Sequence, residues 1–106
     1  GVFASNETSS VGASQAVKAR QRKVALVGFD YSPTLITDLK EGVIDSLEVQ
    51  NPFEMGYEAV MLAITKLKGG TPTKENPLPP RLVTRDNLNN PDVQAQINPD
   101  LKKYLD

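Results

Sequence analysis

Polar side chains that could bind a ligand stand at the ends of short segments that have the pattern of strands. They are Asn6, Asp30 and Gln50. An amide group both donates and accepts hydrogen bonds, and a carboxylate forms the stronger, charge-assisted kind. The hydroxyls of a sugar need partners of both kinds, because each hydroxyl is a donor and an acceptor. These residue types therefore indicate recognition of a hydroxyl-rich ligand.

Each of these residues also has a purely structural explanation. An Asp after a strand often closes a turn or caps a helix. The same applies to Asn6, although later residues offer alternative caps, and Gln50 could be a solvated residue of an edge strand. Asn51 is better explained as a helix cap than as a ligand contact. Tyr31 could stack on a sugar ring, but a place on the rim explains it equally well.

Composition excludes several functional classes. The chain has 106 residues, a net charge of −1, no Cys and no His. Balanced charge argues against a nucleic-acid groove, and the missing residue types remove thiolate, structural-zinc and imidazole chemistry from this chain. Carboxylates at 30 and 45, or at 7 and 30, could be imagined as a glycosidase pair, but nothing in the sequence supports it. We predict no catalytic residue, no metal site, no cofactor and no enzymatic activity.

The elements that position these residues alternate between strand and helix. Residues 23–29 contain the unbroken apolar stretch Val24-Ala25-Leu26-Val27, which is typical of a strand covered on both faces, and Gly1-Val2-Phe3-Ala4 indicates another buried strand. Residues 44–50 alternate as a half-exposed or edge strand does, and Arg81–Thr84 is a short last strand. The predicted fold is α/β, a parallel three-layer sheet of the Rossmann-like or flavodoxin-like kind. Ligands bind such sheets at the carboxyl ends of the strands.

Local signals mark the helices between these strands. Thr8 or Ser9 can cap a first helix that runs to about residue 20, with an inner face of small residues. Ser32 and Gly42 bound a second helix. A third begins at Asn51-Pro52, with Glu54 reaching back as in a capping box, and Gly69-Gly70 ends it. Four prolines exclude regular structure from residues 71–80, and short turns are expected at 91–97 and 99–105. The third helix carries one apolar stripe, formed by Phe53, Tyr57, Val60, Ile64 and Leu67.

Segments of the chain resemble, in order and spacing, the C-terminal part of type I periplasmic binding proteins of the ribose, xylose and galactose class. They are Phe3-Ala4-Ser5-Asn6-Glu7, Val24-Ala25-Leu26-Val27-Gly28-Phe29-Asp30, Leu39-Lys40-Glu41-Gly42-Val43-Ile44-Asp45, Val49-Gln50-Asn51-Pro52 and Gly56-Tyr57-Glu58-Ala59. The resemblance covers residues 1 to about 85. It implies a protein of two lobes that closes on a monosaccharide and presents it to the membrane permease of an ABC transporter.

The resemblance also assigns ligand contacts by position, to Asn6, Asp30 and Gln50. The first segment departs from the commoner form of the family, in which Asp follows the Asn, because Glu7 stands there instead. The implied location is periplasmic or extracellular. A chain that opens inside a strand is expected to continue upstream, into the N-terminal part of the same protein and a signal peptide.

By the same resemblance, residues 1–50 belong to the C-terminal ligand-binding lobe. Residues 51–80 cross a hinge and form a helix that packs on the N-terminal lobe, and residues 81–106 hold the return strand and the tail. Without that lobe, the apolar stripe of the third helix would be exposed to water, which would lower the free energy of unfolding by several kcal/mol. We expect the chain to pair with another copy, to exchange elements, or to fold the helix onto its own sheet.

Other functions are consistent with the same fold. The main alternative is the effector domain of a LacI-type transcription regulator, although the segment 39–47 has the style of the transport proteins. A sugar-sensing input module of a receptor kinase is the second alternative. A fragment of an α/β enzyme is the third, and this residue set offers no means of turnover.

Overall fold

The computed structural model describes residues 1–21 and 24–105, so the predicted start of the second strand at Lys23 lies outside the described residues. These residues form a sheet of four strands in the order β1-β2-β3-β4. The strands are β1 (Val2–Phe3), β2 (Leu26–Phe29), β3 (Ser46–Val49) and β4 (Arg81–Thr84). The helices are α1 (Glu7–Arg20), α2 (Pro33–Glu41), α3 (Pro52–Leu67), α4 (Pro91–Ile97) and a 3-10 turn, Leu101–Lys103. None of the described helices has the length and apolar character needed to cross a membrane.

Most helix ends follow the signals of the sequence. The Ser32 hydroxyl accepts the Leu35 N–H to begin α2, and Gly42 ends it with a φ of 76°. Asn51 caps α3 as predicted, its side-chain oxygen accepting the Glu54 N–H at 3.2 Å. The prediction for α1 was wrong, because Asn6 and not a later residue is its N-cap.

The hydrophobic core lies between the sheet, α2 and α4. α1 meets this core with the predicted residues Val11, Ala13 and Val17, which are partly buried, and with Ser10 and Ser14, which are fully buried. Gly12 and Ala16, expected on that inner face, are exposed. The buried cluster consists of Leu26, Leu35, Leu39, Ile44, Leu47, Val49, Val83, Leu88, Val93 and Ile97.

An ion pair joins α1 to α2. The Lys18 ammonium donates to the Asp38 carboxylate, whose side chain is only 2% exposed, and it lies 3.5 Å from a Glu41 carboxylate oxygen. The hydrogen bond to Asp38 raises the pKa of Lys18 above its ordinary value.

The sheet differs from the sequence prediction in the environment of its strands. β1 was expected to be buried, but it is an edge strand with β2 as its neighbour, and Phe3 is 62% exposed. β3 was expected to be half-exposed or at the edge. The strand is half-buried as expected, since Leu47 and Val49 are inaccessible and Glu48 is not. It is not an edge strand, because it lies between β2 and β4. An alternating pattern reports which faces are covered and carries no information on lateral neighbours.

The expectation of an all-parallel sheet was wrong for the last strand. β1, β2 and β3 are parallel, whereas β4 runs antiparallel to β3, with Leu47 opposite Val83. A parallel strand would need a crossover helix packed on the sheet. α3 does not play this part, because none of its residues is buried.

α3 instead projects from the rest of the chain. Its apolar stripe is solvent-exposed, with Tyr57 57% and Val60 58% accessible, so the helix does not fold back onto the sheet. The radius of gyration is 17.0 Å, against about 13 Å for a compact domain of this length. Residues 70–80 return to β4 without helix or strand, as the prolines predict.

Candidate functional site

The carboxyl ends of β2 and β3 open onto a cleft of about 500 Å³. Asp30 directly follows β2 and Gln50 directly follows β3, and both line this cleft, as the sequence predicts. Parallel neighbouring strands bring their carboxyl ends to the same edge of the sheet, which explains why these distant residues meet. The cleft is lined by Glu7, Asp30, Tyr31, Ser32, Pro33, Gln50 and Pro52.

Asp30 has an unusual backbone conformation. Its N–H donates to the Glu48 carbonyl at 2.8 Å, which extends the hydrogen bonding between β2 and β3 by one residue. Its φ is 64°, in the left-handed region that most residues with a side chain avoid. Asp tolerates that region better than most residues, and backbone outliers of this kind concentrate at binding sites. The chain therefore turns sharply at the residue that presents the carboxylate.

Gln50 occupies the junction between β3 and α3. Val49 is the last residue of the strand, and Asn51 is already the cap of the helix. The Asn51 side chain accepts from the Glu54 N–H and donates to the Glu54 carboxylate at 3.0 Å. Its part is structural, as predicted, and Gln50 itself remains exposed at the cleft.

Asn6 is not among the residues that line the cleft. Its Oδ1 accepts the Ser9 N–H at 2.8 Å, and its own N–H donates to the Ser9 hydroxyl at 3.3 Å. This reciprocal pair is a capping box. A ligand contact by Asn6 stays a prediction. Glu7, the next residue, lines the cleft in its place.

Ser10 connects the N-cap of α1 to the end of β2, and sequence reasoning missed it. Its hydroxyl donates to the Asn6 carbonyl at 2.7 Å and accepts the Phe29 N–H at 2.8 Å. The side chain is fully buried. The available signal was the spacing of Ser10 and Ser14, one helical turn apart on the same face.

The charge lining the cleft is acidic, because Glu7 and Asp30 are its charged residues. Carboxylates accept hydrogen bonds, so this surface suits a neutral ligand rich in hydroxyl donors. Its negative charge disfavours the binding of an anion. Among residues 1–21 and 24–105, no group of three His, Cys, Asp or Glu side chains could hold a metal ion.

The carboxylate at position 45 has a structural task. Its Oδ2 accepts the N–H of Leu26 at 2.8 Å, at the start of β2. Asp45 does not line the cleft, so the imagined pair at 30 and 45 is not assembled there, whereas Glu7 and Asp30 do share it.

A sheet that presents polar side chains at the carboxyl ends of parallel strands, along one open wall, defines a ligand-binding α/β domain. The sequence pattern described as the periplasmic binding protein domain matches residues 1–71. The chain belongs to this family, as the resemblance implied. The family is one of binding proteins for transport and not one of enzymes.

The similar proteins include one curated relative and several solved structures. The ribose import binding protein RbsB of Haemophilus influenzae is 37% identical over 68 residues, which are 64% of this chain and 23% of that protein. A carbohydrate transporter solute binding protein from Agrobacterium radiobacter, in complex with D-arabinose, is 35% identical with a TM-score of 0.83. The comparison covers 92% of this chain and 34% of that one.

An ABC transporter solute binding protein from Agrobacterium vitis, bound with alpha-D-tagatopyranose, is 28% identical with a TM-score of 0.85. It is matched over 91% of this chain and 33% of its own length. The chain therefore spans about a third or less of each of these relatives. The α/β fold of the binding proteins is confirmed by these structures.

Proposed function

We propose that the protein is the sugar-binding component of an ABC import system and captures a monosaccharide between two lobes. The observation that carries this proposal is the cleft in which Asp30 and Gln50 meet at the carboxyl ends of two parallel strands. The solved relatives named above hold D-arabinose and alpha-D-tagatopyranose. The acidic and amide groups of the cleft offer the acceptors and donors that such hydroxyl-rich rings require.

Within the cleft, Asp30 accepts hydrogen bonds from ligand hydroxyls and Gln50 both accepts and donates. Asn6, at the neighbouring N-terminus of α1, is a third contact in this proposal, through its side-chain amide nitrogen, since its oxygen is engaged by Ser9. Glu7 joins the set because it lines the same wall.

The chain leaves the C-terminal lobe at residue 50. Residues 1–50 and the return segment 81–97 share one hydrophobic core, because Leu47 and Val49 of β3 cluster with Val83, Val93 and Ile97. α3 and residues 68–80 contribute nothing to that core. Residues 51–80 therefore cross from the C-terminal lobe to an N-terminal lobe, whose surface covers the apolar stripe of α3.

The membrane permease of the transporter is the proposed partner, and the periplasm or the extracellular space is the proposed location. The named relatives favour transport over a LacI-type regulator or a receptor input module, since RbsB is named for ribose import.

The test is sugar binding by the full-length protein. Thermal-shift measurements with pentoses, hexoses and polyols should show specific stabilisation by at least one monosaccharide, and calorimetry should then give its affinity. Asp30→Ala should weaken that affinity roughly 10- to 100-fold, since a hydrogen bond to a charged group contributes about 1.5–3 kcal/mol.

Asp86→Ala is the matched control. Asp86 lies in the exposed turn after β4, away from the cleft, and its removal should leave the affinity unchanged. The proposal fails if no monosaccharide binds, or if the two Asp variants lose affinity equally.

A further inference from the structure

The side chain of Gln96 in α4 forms hydrogen bonds with the junction between β3 and α3. The Nε2 atom of Gln96 lies 3.1 Å from the carbonyl oxygen of Val49 and 3.1 Å from that of Gln50. An amide nitrogen of this kind carries two hydrogens, so it can donate one to each carbonyl. Gln96 thus holds two consecutive peptide groups with one donor group.

These peptide groups lie where the regular hydrogen bonding of the sheet ends. Val49, opposite Arg81, is the last paired residue of β3, and the helix cap begins at Asn51. Gln50 belongs to neither element. Its backbone would otherwise depend on its neighbours alone for its orientation, and Gln50 is the residue that lines the cleft at this point.

The helix that carries Gln96 is anchored to the rest of the domain. Val93 and Ile97, on either side of it along α4, are buried in the core. The Arg81 guanidinium of β4 donates to the Asp92 carboxylate in the first turn of the same helix. The side chain of Gln96 therefore extends from a helix that is anchored to the sheet by apolar and ionic contacts.

We propose that Gln96 is a positioning residue for the sugar site, which fixes the Gln50 backbone so that the Gln50 side chain meets the ligand. This inference rests on the proposed sugar-binding function. Gln96 lies outside the cleft lining and acts through the two carbonyls. Sequence reasoning gave no indication of it, because a Gln in a short helix near the end of the chain has no distinguishing pattern.

Substitutions of Gln96 in the full-length protein test this role. Gln96→Met keeps the length and flexibility of the side chain and removes both donors. Gln96→Glu keeps the shape and places a carboxylate oxygen against two carbonyl oxygens. Gln96→Met should weaken binding of the sugar found by the thermal-shift screen about five- to tenfold, consistent with the loss of hydrogen bonds at one peptide junction. Gln96→Glu should weaken it further, and Gln15→Glu, on the exposed side of α1, should have no effect.

The decisive readout is the dependence on Gln50. In a Gln50→Ala background, Gln96→Met should cause no further loss of affinity, because the side chain that it positions is gone. In an Asp30→Ala background the full loss should persist. A merely structural part for Gln96 would weaken binding equally in both backgrounds, and that result would overturn the proposal.

The same experiment separates this inference from the function on which it rests. If the wild-type protein binds none of the sugars, the proposed function and the role of Gln96 both fall. If the wild-type protein binds a sugar and Gln96→Met binds it equally well, only the positioning role is overturned. Circular dichroism of each variant establishes that it is folded before its affinity is compared.

Discussion

The hydroxyl of Ser10 and the backbone nitrogen of Phe29 lie 2.8 Å apart, at the place where α1 meets the end of β2. The same hydroxyl donates a hydrogen bond to the Asn6 carbonyl at 2.7 Å. One buried group therefore ties the cap of α1 to the residue that precedes Asp30. Two of the predicted ligand contacts are linked through this serine, although neither touches it with its side chain.

The first prediction follows from the burial of this contact. Ser10→Ala would leave the Phe29 N–H without its buried partner and should lower the free energy of unfolding by about 1–3 kcal/mol. Ser14→Ala is the matched control. Ser14 is equally buried, but its hydroxyl donates only to the Val11 carbonyl within its own helix, at 2.9 Å. Urea denaturation should show the larger loss for Ser10→Ala, and equal losses would contradict the assigned role.

The second prediction concerns the close approach of α1 to β2 at Gly28. A Cβ atom there would lie 2.8 Å from the Leu47 Cδ2 and 3.1 Å from the Ser10 Oγ. Gly28→Ala should therefore destabilise the protein by about 1–3 kcal/mol, as overpacking of a filled core does. It should also weaken sugar binding, because the strand that presents Asp30 must shift.

Gly12→Ala provides a control of opposite sign for this effect. A Cβ atom at Gly12 would meet nothing within 4 Å, and the residue lies inside α1. Alanine should stabilise that helix by roughly 0.5–1 kcal/mol relative to glycine. If Gly28→Ala and Gly12→Ala shifted the melting temperature in the same direction, that result would be inconsistent with the packing described.

The sequence predicted those features that depend on neighbours along the chain. The caps at Ser32, Gly42 and Asn51 are short-range signals, and the structure confirms them. The positions of Asp30 and Gln50 on one cleft also followed, because parallel strands present their carboxyl ends together.

Most of the errors concern contacts between distant segments, and the misplaced start of α1 is a local one. The antiparallel direction of β4 depends on where α3 lies, and α3 does not pack on the sheet. The exposure of Phe3 in β1 depends on what covers the strand, which no apolar run can specify. The start of α1 was misplaced because several adjacent polar residues offered caps. With Asn6 as the cap, Glu7 lies at the first helical turn and lines the cleft.

The third prediction separates the backbone of Asp30 from its carboxylate. Because φ is 64° at this position, Asp30→Val should destabilise the fold by about 1–2 kcal/mol relative to Asp30→Gly, which adopts that conformation without strain. Both variants should lose sugar affinity to the same degree, since both lack the carboxylate. Paired urea-denaturation and calorimetry measurements test this, and equal stabilities would contradict the strained backbone.

The fourth prediction is a pH dependence. The Arg81 guanidinium holds the pKa of the Asp92 carboxyl below its ordinary value. A carboxyl whose folded-state pKa is lowered stabilises the folded protein above its unfolded-state pKa of about 4 and loses that contribution as the pH falls through the lower, folded-state value. Carbon-13 NMR should show Asp92 titrating at a lower pH in the wild type than in Arg81→Met. An identical titration in the two proteins would exclude this ion pair as the cause.

The fifth prediction concerns the stripe on α3. If the N-terminal lobe covers it, Val60→Asp in the full-length protein should lower the free energy of unfolding by at least about 2 kcal/mol, because a charge is buried without a partner. Val60 is 58% exposed in the part of the protein described, so this chain alone offers no contact to explain such a loss. Thr65, five residues later and about 140° around the helix, is the matched control. Thr65→Asp should change the stability by less than about 0.5 kcal/mol.

The concentration dependence of these measurements identifies what covers the stripe. Cover by the N-terminal lobe is intramolecular, so the urea midpoint of the wild type should not change with protein concentration. Cover by a second copy of the chain would raise the midpoint as the concentration rises. A concentration-independent midpoint together with a large loss in Val60→Asp supports the lobe division at residue 50. Equal, small effects of Val60→Asp and Thr65→Asp would mean that α3 remains exposed in the whole protein and would refute that division.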